Sequence, residues 1–497
     1  MHKCSLNVTF IGAQWFFPYL CRPNPLRVEP LTIFIMRISN KLIVSSLALI
    51  TFLSASAEGY QINTLSAKQG GMGHTGTALK LGAESMFFNP AGLGFSSKTL
   101  DLTGSFNALK PYVSARNCRS TIMGNTTEFP SKYDAHNNIS TPLLLGASFR
   151  IYDNLQAGIA FYTPYGSSIN WTNNWPGAEL NQKVKHATYT IQPTFSYRIS
   201  PKLSVGAGLM ITWGSVDLYK GLISGTTFDS VLLPKLQSMG MDVTPFGTTA
   251  PATVNLNGKA EVAFGFNAGV MYDVSSKVTL GANFRSRQLM KVKAGDAKVI
   301  YANKLAETAL ESSLGLINEA NFSAAMPLPW VLTIGGSYRP TDRWTLAADV
   351  ALTGWKTYKH LNIDFLDEKV SAFNQHIAKD YRDAWCFRLG AQYALTHRFD
   401  LRFGMMIDTT PVDKHNYNPE TPGMTKIEPS AGLSFRPIDR LSIDFSLLYV
   451  TGLGSKGASI THEDLLLKSV GMPYEKTFVA DYRCNAINAS IGLNYSF

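Results

Sequence analysis

Read back from its last residue, the chain alternates. Ile487, Ala489, Ile491, Leu493, Tyr495 and Phe497 share one parity, and Asn488, Ser490, Gly492, Asn494 and Ser496 share the other. A period of two is a strand with one apolar and one polar face. The pattern recurs at Ala187–Tyr197, Leu203–Trp213, Val262–Tyr272 and Leu441–Tyr449, always with Gly, Ser, Thr and Asn on the second face. A soluble strand averages about 5–6 residues, whereas a tilted bilayer crossing needs about 9–11. Greasy outside and polar inside predicts a transmembrane barrel.

About fourteen such segments follow Thr99, among them 99–108, 154–166, 258–274, 276–293, 328–339 and 482–497. Every second connection is short: Asp153-Asn154, Ser200-Pro201-Lys202, Ser275-Ser276, Pro340-Thr341-Asp342, Thr396-His397 and Pro437-Ile438-Asp439. The others, such as 109–141, 220–257, 294–327 and 453–481, are long. Short periplasmic turns alternating with long outer loops are barrel topology. The predicted fold is all-β: a transmembrane antiparallel β-barrel of about 14 strands over 98–497, with an N-terminal plug inside it. Near-helical spacing in 228–240 and 303–322 predicts helices in two outer loops, either ordinary rim helices or an apolar surface for ligand.

Composition agrees. Charged residues are 16% against the roughly 25% of soluble domains. No apolar run approaches the ~20 residues of a spanning helix. Leu42–Leu53, after Arg37 and Lys41 and before Ala55-Ser56-Ala57, reads as the core of a signal peptide over 36–57, with 1–35 an upstream extension and Met36 the natural start. Removing residues 1–57, with five Lys/Arg and one Glu, takes the formal charge from +10 to +6. That surplus is spread along the chain, so no nucleic-acid footprint exists. Cys118, Cys386 and Cys484 are too scattered for a zinc site or a disulfide framework.

Residues 58–97 lack period-2 alternation yet carry Tyr60, Ile62, Leu65, Phe87, Phe88 and Leu93, which an exposed tail would not keep in water. A barrel of this width needs more than wall side chains to fill it, so the segment is expected to plug the lumen. Within it, Gly71–Gly76 matches G-x-G-x-x-G, but no βαβ unit surrounds it, so no nucleotide site is read there. Neither G-x-S-x-G nor H-E-x-x-H occurs, and no cofactor, metal or catalytic residue is assigned. Arg198, Lys259, Glu261, Asp273, Arg285, Arg287, Arg339, Asp349, Arg388, Arg402, Asp408 and Asp444 have lumen parity. Most should form a charge ladder. Arg285, Arg388 and Arg402 are the candidates to meet an anionic head group, because guanidinium pairs bidentately with carboxylate.

The stretches "EGYQINTLSAKQGGMGHTGTAL", "FFNPAGLGF" and "YTPYGSSINW", with the aromatic C-terminus, resemble the FadL-type outer-membrane transporters of long-chain fatty acids and other hydrophobic compounds. The resemblance covers Glu58–Phe497. It implies a fourteen-stranded barrel with an N-terminal hatch, whose Asn-Pro-Ala element matches Asn89, Pro90 and Ala91. It implies that the N-terminus reaches the ligand site through an aromatic residue matching Tyr60. It also implies lateral release into the membrane where the third strand kinks, at Pro164 and Gly166. The expected partners are a hydrophobic small molecule, outer-membrane lipid and the barrel-assembly machinery through Phe497, with the barrel a monomer. A general porin, an adhesive barrel and an outer-membrane enzyme stay open as alternatives.

Overall fold

The structure is a computed structural model that describes residues 59–314 and 317–497. The predicted extension and signal peptide lie outside the described residues. Fourteen strands form one antiparallel ring: β1 Leu100–Ile122, β2 Leu143–Tyr152, β3 Leu155–Tyr162 resuming as Gly166–Asn170, β4 Lys183–Ser200, β5 Leu203–Gly221, β6 Ala252–Asp273 and β7 Val278–Arg285 resuming as Gln288–Tyr301. The ring continues with β8 Glu319–Leu328 resuming as Val331–Tyr338, β9 Trp344–Thr353, β10 Ala384–Ala394, β11 Phe399–Asp408, β12 Lys426–Ile438, β13 Leu441–Gly452 and β14 Glu475–Ser496. β1 pairs with β14 from Asp101↔Ser496 to Ile122↔Lys476, which closes the barrel. Closure matters because hydrocarbon offers no water to an unpaired strand edge.

The alternation sorts as expected. Phe106, Phe195, Phe264, Ile334, Leu447 and Leu493 are exposed on the outer face. Ser105, Asn107, Thr190, Gln192, Ser434 and Asn488 are buried on the inner one. The short connections fall where predicted, between consecutive strands.

Two expectations need correction. Several strands run past their predicted ends: β1 reaches Ile122 and β14 starts at Glu475. Above the lipid their outward positions are Ser114, Arg116 and Arg119 rather than greasy residues, so pairing continues after the hydrophobic period has faded. Second, Lys259 and Glu261 do not face the lumen; both are exposed outside, and Glu261 pairs with Lys293 at 2.5 Å. The β5–β6 register shifts between Thr212↔Ala263 and Gly214↔Ala260. That bulge inserts a residue and flips every side chain above it to the other face.

The loop helices form at Gly225–Val231, Leu233–Ser238 and Lys304–Leu314; the last is shorter than predicted, because Glu319 already begins β8. Ile223, Phe228, Leu310 and Leu466 bury one another between these helices. Beside them, Lys476 reaches Glu179 at 2.5 Å and Ser224 Oγ at 2.8 Å, while Thr227 donates to Asp464 at 2.7 Å. Burial alone would raise the Glu179 carboxyl, but Lys476 and His462 outweigh it and bring it to about 2. This charged cluster ties the outer loops into one cap.

Residues 66–95 lie against the inner wall. They use small helical turns, Ala67–Gly70, Ser85–Phe88 and Pro90–Phe95. The wall gives them room through glycine. A Cβ at Gly206, Gly269, Gly281, Gly390 or Gly404 would overlap Pro90, Asn89, Thr77, Met72 or Gly73 respectively. Several of these glycines face one another across strands, as Gly206↔Gly269, Gly281↔Gly335 and Gly390↔Gly404. On β9 the same level holds Asp349, whose Oδ2 accepts from Gly76 N at 2.8 Å, Thr77 N at 3.1 Å and Thr77 Oγ1 at 2.9 Å. Backbone thus packs directly on backbone around much of the ring. Overpacking such a contact costs about 1–3 kcal/mol. Gly281→Val and Gly404→Val should therefore each lower the thermal midpoint of the folded, heat-modifiable band, whereas valine at outward-facing Ala431 should not.

Candidate functional site

The third strand breaks at Thr163-Pro164-Tyr165. Pro164 has no N–H to give, so a ladder through it would be incomplete. β3 pairs with β4 up to Tyr162↔Thr190 and again from Gly166↔Ala187. Across the break, Thr188 spans both sides: its Oγ1 accepts from Tyr165 N at 3.1 Å, and its N donates to Tyr165 O at 3.0 Å. On the other edge, where β2 has not yet begun, the chain's own N-terminal residues take the place of a strand. Ile62 N donates to Pro164 O and Gly166 N donates to Tyr60 O, both at 2.9 Å. Pro164 and Gly166 therefore stand at a discontinuity of the wall, and residues 60–62 cover it.

Tyr60 is buried in an aromatic nest. Its ring lies 4.8 Å from Trp355, 5.0 Å from His186, 6.0 Å from Tyr358 and 6.2 Å from Tyr165, all edge-on, and its hydroxyl donates to the Pro327 carbonyl. Tyr60 also forms part of a largely apolar, part-open cavity of about 110 Å³. Val184, Leu256, Met290, Phe322, Met326 and Ile363 contribute its walls, from the upper parts of β4–β8 and a loop above them. The charged group at its edge is Glu420, whose partner is the fully buried Lys379.

A second, polar cavity of about 30 Å³ lies on the other side of the same N-terminal residues. Gln61, Asn63, His74, Asn283, Arg285 and Arg388 line it. Arg285 lies over the Phe87 ring at 3.7 Å and donates to the Phe87 carbonyl; Arg388 Nη2 donates to Asn63 Oδ1 at 3.2 Å. Among the described residues, Gln61 Oε1, His74 Nε2 and Asn283 Oδ1 have no hydrogen-bond partner. The volume suits one bridging water or a small polar head. Tyr60 thus faces an apolar space, while Gln61 and Asn63 face a cationic one.

Arg402 belongs to neither cavity. It is 1% exposed, with Nη1 on Asp444 at 2.9 Å and Nε on Gln392 at 2.9 Å, underneath Gly71. Asp400 on its own strand and Asp444 on β13, two strands along, neutralise it, so it serves the charge ladder rather than an anionic head group. Arg339 sits exposed at a short turn and Arg198 half-buried at another, its Nη2 donating to Asp153 O at 2.7 Å. Asn89, by contrast, is a joint of the lumen segment: Nδ2 donates to Thr77 O at 2.8 Å and Val270 O at 3.0 Å, and Oδ1 accepts from Ala91 N at 3.1 Å. Pro90 and Ala91 open the turn that Asn89 caps, a position that suits proline. The part played by His74, Asn283, Glu420 and the nest around Tyr60 was not visible in sequence, since they come from distant segments with no common spacing.

A closed fourteen-stranded antiparallel barrel with an interrupted third strand and a segment against its inner wall defines a bacterial outer-membrane β-barrel protein. The chain belongs to the family of outer membrane protein transport proteins, OMPP1/FadL/TodX, whose model matches residues 47–497. It is 23% identical to outer membrane protein P1 of Haemophilus influenzae, over 70% of this chain and 73% of that one. It is 21% identical to the long-chain fatty acid transport protein of Escherichia coli K12, over 62% and 69%. Its fold matches a Pseudomonas aeruginosa FadL homologue with a TM-score of 0.72 at 20% identity, covering 88% of this chain and 100% of that one. It also matches the Pseudomonas putida toluene transporter TodX, with a TM-score of 0.63 at 15% identity, covering 89% and 99%.

His74 offers a pH test of the lumen segment. Burial, and then the Arg388 charge, lower it from 6.5 to about 3. It is neutral in the folded protein, while an unfolded histidine takes up a proton near 6.5. Its contribution is fully present above that value and lost as pH falls toward 3, with a slope of up to about 1.4 kcal/mol per pH unit. The wild type should lose thermal stability between pH 7 and pH 5 more steeply than His74→Gln; parallel curves would contradict the assignment.

Proposed function

We propose that this protein carries long-chain fatty acids or similar hydrophobic molecules passively across the outer membrane and releases them sideways at the break in β3. The observation that carries this reading is the placement of Tyr60–Asn63, which covers the wall discontinuity while separating an apolar cavity from a cationic one. An engineered cavity of about 150 Å³ holds benzene. The 110 Å³ beside Tyr60 therefore takes no long acyl chain until the N-terminal residues move. Movement would join the two cavities and uncover Pro164–Gly166 in one step.

The energetics favour such a route. Each methylene taken out of water is worth about 0.8 kcal/mol, so a chain handed from cavity to bilayer avoids a large penalty. A carboxylate head would meet Arg285 and Arg388 rather than Glu420. In this scheme residues 66–95 act as the hatch, held by the glycine contacts and Asp349, and only the segment before Thr64 responds to ligand. The exposed C-terminal Phe497, whose carbonyl accepts from Thr99 N at 3.1 Å, would be read by the assembly machinery before the barrel closes.

Cells lacking the protein should take up labelled long-chain fatty acid more slowly. Gly166→Leu should reproduce part of that loss, because a Cβ there already lies 3.2 Å from Ile62 Cδ1 and 3.3 Å from His186 O. Normal uptake with a correctly folded Gly166→Leu protein would refute lateral release at this position. Unchanged uptake in the deletion strain, with steady ion conductance by the purified protein in planar bilayers, would favour a porin.

A further inference from the structure

The outer face of the barrel carries a groove that transport does not use. It lies on β8–β11, across the ring from the break in β3, as a shallow depression of about 700 Å³ open to the lipid. Leu346, Leu389, Phe403 and Met405 form its sides, and all four are exposed toward lipid. Its floor is low because Gly336 and Ala348 stand opposite each other on β8 and β9. Gly336 is two residues from the end of β8 and Ala348 four from the start of β9. At about 3.3 Å per residue, the floor lies roughly 10 Å inside the short-turn, periplasmic rim.

The rim directly beside it is cationic. Lys277 and Arg339 flank the groove residues Val278 and Tyr338, Arg343 ends the same turn as Arg339, and Arg398 lies on the following turn. Lys277 Nζ donates to Pro340 O at 3.1 Å and Arg339 Nη2 to Ser276 O at 3.5 Å, so the first two turns are joined. Arg343 Nη1 donates to Tyr393 Oη at 3.4 Å, beside the Trp344–Tyr393 ring pair at 4.8 Å. Among the described residues, none of these four cations makes an ion pair. Nearby carboxylates are engaged elsewhere: Asp273 holds Lys80 at 2.6 Å and Asp400 holds Arg436 at 2.6 Å, which leaves Asp342 on this rim.

We propose that this groove binds one anionic phospholipid of the periplasmic leaflet, an acyl chain over Gly336 and Ala348 and the phosphate against Lys277, Arg339 and Arg343. Position and charge both select that occupant. The cations stand at the level of the inner-leaflet head groups, out of reach of the outer leaflet, and aromatic side chains mark the interface between them and the groove. A second copy of the chain fits poorly, because a two-fold contact here would set each cationic rim against its twin.

The test uses the full-length protein in detergent, titrated with phosphatidylglycerol and read by native mass spectrometry. One tightly held lipid per chain is expected, bound roughly ten- to hundredfold more weakly by the triple variant Lys277→Gln, Arg339→Gln, Arg343→Gln. Ala348→Leu, which fills the floor, should weaken it comparably while leaving the rim intact. Heat-modifiable migration shows which variants fold, and either one alone is decisive. Retention of the lipid by a folded variant of either kind would overturn the proposal. So would equal affinity for phosphatidylcholine, which would leave only an apolar contact, or a dimer that excludes lipid.

Discussion

A β-sheet in hydrocarbon cannot leave a backbone N–H or C=O unpaired, because no water is present to take the place of a lost partner. The rest of this molecule follows from that constraint. It requires β14 to return to β1, and it makes any interruption of the wall a problem to be solved locally. At Thr163–Tyr165 the solution is Tyr60–Ile62, which supply one donor and one acceptor where a neighbouring strand is missing. These two bonds are made by a short segment rather than by a full strand. The residues that line the apolar cavity are thus the ones that complete the wall.

Next to that segment lies one held far more closely. Residues 66–95 rest on glycines of the wall, with Asp349 accepting three hydrogen bonds from Gly76 and Thr77. Such close backbone contact leaves little freedom for sliding. Between the two lies the cavity holding His74, Arg285 and Arg388, where unpartnered polar atoms show that the packing is incomplete. Polar groups left unsatisfied away from water are costly, so this is where a rearrangement or a ligand would gain most.

How far sequence could see depended on whether a residue's role was local. Outward phenylalanines and inward serines were legible because a strand's period is a property of consecutive residues. Arg402 had the right parity for the lumen, but parity says nothing about the carboxylates of Asp400, on its own strand, and Asp444, two strands away, that neutralise it. Lys259 and Glu261 were misplaced because one extra residue in β6 reverses the count, and a bulge leaves no mark in composition. The strand ends above the membrane were missed for a related reason: hydrogen bonding continues there while the lipid that imposes the hydrophobic pattern does not.

The amino-acid sequence by itself determined the barrel, its number of crossings, the alternation of turns and loops, and the position of the break, since proline acts on its own backbone wherever it is placed. Tertiary structure alone decided what faces the break. Tyr60 meets Trp355 and Pro327, and Asn63 meets Arg388, across separations of hundreds of residues. Cross-strand register, which places Gly281 opposite Gly335 and Gly390 opposite Gly404, decides which glycines become a seat for the lumen segment rather than points of flexibility. Register depends on the summed pairing of the whole ring, and no single stretch of sequence carries that sum.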